Sequence, residues 1–168
     1  MMRLTSRAFL GLAILGCLGE SPWAAERRAA AVRDSTYAGV QSRGAVAMGV
    51  DQYTSSHVFE PLADGGRIEL QRDAEDSVGV AQIRQHMQRI AARFAAGDFR
   101  LPGYVHAQAV PGTDVMAVRR AAVTYSVESL PRGAAVRMRS ADPAVIQAIH
   151  EFLAFQRQDH HASAHRGS

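Results

Sequence analysis

Seven histidines and six methionines, against a single cysteine, are the residues of this chain with the widest ligand chemistry. Imidazole and thioether are uncharged donors that suit transition metals and copper above all. Four histidines are dispersed through the interior of the sequence, His57, His86, His106 and His150, while His160, His161 and His165 crowd the C-terminus. Met48, Met87, Met116 and Met138 supply thioethers. The candidate transition-metal set is therefore Met48, His57, His86, His106, Met116 and His150, with copper as first choice. It requires that distant positions converge when the backbone folds. The bland counterpart makes these histidines hydrogen-bonded edge residues and Met87 and Met138 core filler. No His-Glu-x-x-His pattern is present, and a histidine-rich end binds metal adventitiously, as an affinity tag does.

Enzyme signatures are missing from the sequence. There is no Gly-x-Ser-x-Gly, no phosphate-binding loop and no dinucleotide glycine pattern. The acids Glu69, Asp73, Glu75 and Asp76 read as a strand end and a helix start, where they complement the helix dipole. Two alternatives to metal stand beside this. One is a small-molecule or protein interaction module in which Arg84, Arg132 and Tyr125 meet an anionic or aromatic partner. The other is a hydrolase-like acid–base chemistry on His57 or His106.

The elements that must position these residues follow from periodicity. Residues 58–62 and 67–71 alternate about Asp64-Gly65-Gly66, which predicts a β-hairpin. Val80, Ile83, Met87, Ile90 and Phe94 recur three and four apart, which predicts a helix over residues 77–96 with one apolar face. The order repeats: residues 122–128 and 134–139 alternate about a turn at 130–133. Asp142-Pro143 then opens a helix running to about residue 158. The expected fold is α+β, two hairpin–helix (ββα) units forming one antiparallel sheet with both helices packed on one face. The similarity of residues 57–97 to 121–158 suggests an internal duplication. Residues 98–118 read as a long functional or core-covering loop, and residues 45–50 as an additional strand.

The chain has 168 residues, of which 47% are hydrophobic and 21% charged, the composition of a globular protein with one domain's worth of chain. Arg3 and Arg7 precede an apolar stretch over residues 8–19, and small residues follow, so residues 1–25 read as a secretory signal peptide. That stretch is too short to span a bilayer, and the expected product is periplasmic or secreted, without a transmembrane helix. Residues 14–17 approximate a lipoprotein signal, which makes a lipid anchor on Cys17 the alternative. Without the leader, 17 arginines face 15 acids, no nucleic-acid footprint. Residues 26–43 read as a flexible start, 44–159 as the single domain, and 160–168 as a disordered tail.

Several strings together resemble a family of small exported bacterial proteins of unassigned function. They are Met48-Gly49, Ser56-His57 with Phe59, Asp64-Gly65-Gly66, Gln82-Ile83-Arg84-Gln85-His86, Gly97-Asp98-Phe99, Val105-His106, Val115-Met116 and Ala148-Ile149-His150-Glu151-Phe152-Leu153. The likeness runs over residues 44–161. Some members carry the name aspartate carbamoyltransferase, but this chain lacks that enzyme's Ser-Thr-Arg-Thr phosphate loop and its length. The resemblance also implies a second histidine after the first at the strand opening, where this chain has Val58. The expectation drawn from all of this is a noncatalytic binding protein.

Overall fold

A computed structural model describes residues 22–49 and 54–160. Residues 1–21 of the leader expected over 1–25, with Cys17, and residues 161–168 of the tail expected over 160–168 lie outside the described residues. The elements run α1 (Pro22–Met48), β1 (Ser55–Leu62), β2 (Gly65–Arg72), α2 (Ser77–Ala95), α3 (Arg100–His106), α4 (Thr113–Val118), β3 (Thr124–Leu130), β4 (Gly133–Arg139) and α5 (Pro143–Asp159).

The four strands form one antiparallel sheet in the order β1-β2-β4-β3. Its register is symmetric. Phe59 pairs with Ile68 in the first hairpin, Val127 pairs with Val136 in the second, and Ile68 pairs with Val136 across the junction. Each hairpin leads into a helix with the same start signal: Asp76 accepts from the Gly79 amide at 2.9 Å and Asp142 from the Ala144 amide at 2.9 Å. Helix α2 then lies over β3 and β4, while α5 lies over β1 and β2, so each helix covers chiefly the other unit's hairpin.

One face of the sheet supplies the core. Phe59, Ile68, Leu70, Ala134, Val136 and Met138 alternate along their strands and meet Ile83, Met87, Ile149 and Phe152 of the two helices. The opposite face is polar and laced by ion pairs, among them Arg67 with Glu69 and Arg137 with Asp64. The α+β architecture of hairpin–helix units expected from periodicity is the one observed.

Four expectations are corrected. Residues 26–43, read as a flexible start, lie inside α1, where alanine and arginine favour the helix and Val40, Gln41, Gly44 and Met48 bury one face of its last turns. Residues 45–48 accordingly end a helix rather than begin a strand. The 98–118 segment contains the short helices α3 and α4 as well as loop, with Val105, Val110 and Met116 buried. Finally, His160 is not part of a disordered tail; it follows α5 directly and packs against other rings. None of the described helices is long and apolar enough to cross a membrane.

Candidate functional site

A cavity of about 80 Å³ lies between α2 and α5 on the sheet's apolar face, beside the end of α1 and α3. Met48, His57, His86 and His106 all line it, from four different elements, and so does His160. Met116 and His150 do not. Met116 is fully buried as core filler, and His150 turns to the flank of α5, where its Nε2 hydrogen-bonds the Leu62 carbonyl at 2.9 Å. The side-chain stripe of α5 that faces the core runs through Val145, Ile149, Phe152 and Gln156, and a residue adjacent to Ile149 diverges by about 100°.

His86 stands on the buried stripe of α2, between Ile83 and Ile90, and is 7% exposed. Its ring hydrogen-bonds the Ala47 backbone, but Nδ1 is buried and has no partner among the described residues. Burial, aided by the Arg89 cation and partly opposed by the Ala47 bond, lowers its pKa to about 4. His57 belongs to the inward-facing row of β1 with Phe59. Burial and the neighbouring His86 lower it also to about 4, with Asp73 pulling weakly the other way. Both imidazoles are therefore neutral at ordinary pH, the form that binds a metal or accepts a hydrogen bond.

His106 ends α3 and is held differently. Its Nδ1 engages the Asp159 carboxylate and its Nε2 lies 2.9 Å from Gln156 Oε1, so both nitrogens are occupied. The contact ties α3 to the last turn of α5 and fixes one wall of the cavity. The same wall is secured to α1 by Arg43, which donates to the Val105 carbonyl at 2.7 Å.

His160 is the residue that sequence reasoning missed. Its ring stacks on His57 with centroids 5.1 Å apart and meets His106 edge-on at 5.1 Å, with Phe59 at 5.5 Å. Proximity to His161 and His165 concealed it. Spacing was the available signal: Phe152, Gln156 and His160 continue one helical face at four-residue steps. Met87, a core filler on the bland reading and a thioether source on the metal one, is also in the lining, with 1% exposure.

The residues proposed for an anionic or aromatic partner are committed elsewhere. Arg84 donates to the Leu130 carbonyl at 2.7 Å and to the Gly133 carbonyl at 3.1 Å, and Arg132 donates to the Arg72 carbonyl at 2.8 Å. Tyr125 packs against Phe94 inside the protein. Across the approximate two-fold of the sheet, His57 opposite Leu70 corresponds to Tyr125 opposite Met138. In that half, Tyr125, Phe94, Phe99 and Phe152 fill the space with rings 4.5–6.4 Å apart. The half that carries His57 keeps the cavity.

Among the described residues, no three His, Cys, Asp or Glu side chains stand as a ready-made metal shell. What the site offers is a mixed set of imidazole and thioether groups in an apolar wall. Comparison with family models, with curated proteins and with solved structures finds no match to this chain.

Proposed function

We propose that the protein is an exported, noncatalytic binding protein that takes one transition-metal ion, copper first, in the cavity beside the end of α1. Met48, His57 and His86 are the ligand set, and His106 holds the wall behind them. The observation that carries this is the unpartnered Nδ1 of His86 in a cavity lined by Met48 and His57. A buried polar atom without a partner costs about 1–3 kcal/mol, a penalty that a bound ligand removes. Neutral imidazoles need no deprotonation to coordinate, so the site is poised at ordinary pH.

The test is a copper titration of the full chain carrying His161→Ala and His165→Ala, which removes the adventitious histidines. One equivalent bound, and lost in His86→Ala, is the expected result. Binding untouched by His57→Ala and His86→Ala in folded protein overturns the assignment. A second reading rests on the apolar lining and the unpartnered His86 Nδ1: a small, largely apolar molecule donating one hydrogen bond to that nitrogen. It predicts ligand-induced perturbation of the His86 ring signals without any metal uptake.

A further inference from the structure

Resting on that metal reading, we infer that the cavity selects a monovalent soft cation, Cu(I), over divalent ions of similar size. Three features of the wall lead there. No Asp, Glu, Lys or Arg lines the cavity. The donors proposed as ligands are uncharged: the thioethers of Met48 and Met87 and the neutral imidazoles of His57 and His86, with His106, Gln156 and His160 on the far wall. Of the carboxylates near these imidazoles, Asp159 engages His106 Nδ1 and Asp73 accepts from the Ser56 hydroxyl at 2.5 Å, and neither is in the lining.

The cost of moving an ion from water into such a wall grows with the square of its charge, so a divalent ion pays about four times what a monovalent one does. Carboxylate or thiolate ligands repay that difference in zinc sites. Here none is within the lining. Thioether sulfur adds a chemical preference in the same direction, because soft ligands favour Cu(I) over zinc and other harder ions. The site therefore discriminates by two independent terms, charge and softness, both set by residues already in place.

The experiment uses the full chain with His161→Ala and His165→Ala. Cu(I) is supplied under anaerobic, reducing conditions from a chromophoric Cu(I) chelator, and Zn(II) and Cu(II) are titrated separately against their own chelators. One equivalent of Cu(I), bound at least about 100-fold more tightly than Zn(II), is expected. Met48→Leu keeps the side-chain volume, so folding is retained, and lowers Cu(I) affinity about tenfold or more while leaving weak Zn(II) binding where it was. Zn(II) binding as tight as Cu(I), still dependent on His86, overturns the selectivity and leaves a metal site standing. Cu(I) binding unchanged in folded Met48→Leu overturns the thioether's part in it. Uptake of neither ion removes the metal reading and this inference together.

Discussion

Acidification should weaken the metal-free fold through His86, by an amount the structure sets. The folded-state pKa of this ring is about 4, against 6.5 for an unperturbed imidazole. Above 6.5 neither the folded nor the unfolded chain protonates it, and its contribution is constant. Between 6.5 and 4 the unfolded chain takes up the proton and the folded chain does not, so stability falls as the pH drops and levels off below 4. The full span is roughly 3 kcal/mol, and about 2 kcal/mol is already lost near pH 5. Carboxylates and other histidines titrate in the same range, so the measurement is a difference. Urea unfolding of wild type and His86→Leu is compared at about pH 7.5 and about pH 5. Wild type should lose about 2 kcal/mol more than the variant over that interval. Equal losses would mean that the ring is not held neutral by burial and the Arg89 cation, and would refute the account of the site's electrostatics. His57, lowered to about the same value by burial and by the neighbouring His86, adds a term of the same sign.

The remaining expectations concern the same wall and the sheet behind it. Copper affinity should stay flat from about pH 8 to about pH 5.5, because His57 and His86 are already neutral, whereas a tail-histidine site weakens below about 6.5; a competition titration across that range separates them. His106→Ala should cost about 1–3 kcal/mol by leaving the buried Gln156 amide and Asp159 unpaired, yet retain one copper; loss of the metal from a folded variant would make His106 a ligand. Gly133→Ala should cost about 2 kcal/mol or more, since the new Cβ runs into the Leu70 carbonyl of the neighbouring strand. Gly103→Ala is the control: its nearest atom is 3.7 Å away, and the helix gains about 0.5 kcal/mol or more.

Both hairpins and both long core helices are legible in the sequence because each carries a local signal. Strand alternation, the Asp76 and Asp142 caps and the apolar stripe of α2 are decided within a few residues. Helix α1 escapes the same logic. Its anchoring face is Val40, Gln41, Gly44 and Met48, in which a glutamine and a glycine stand where an apolar stripe would announce burial. The site is legible only in part, since convergence is a tertiary property. Met48, His57, His86 and His106 do share the cavity, but nothing local distinguishes them from His150, which satisfies its ring on the Leu62 carbonyl, or from Met116. His160 needed the geometry of α5 to be separated from the histidines beside it.

The two halves of the sheet pose the question of why one interior is filled and the other is not. Protein interiors are close-packed, and an apolar cleft of about 80 Å³ left unfilled forgoes up to roughly 2 kcal/mol of packing. The Tyr125 half shows that this framework accommodates an aromatic ring at the position His57 occupies. A phenylalanine at His57 should therefore fill space, replace a buried polar ring with an apolar one, and stabilise the metal-free protein by up to about 2 kcal/mol in urea unfolding near neutral pH. Copper binding should disappear in the same variant. Stability gained as function is lost is the signature of a cavity kept for a ligand. A His57→Phe chain that is destabilised and still binds one copper would show instead that the histidine belongs to the packing.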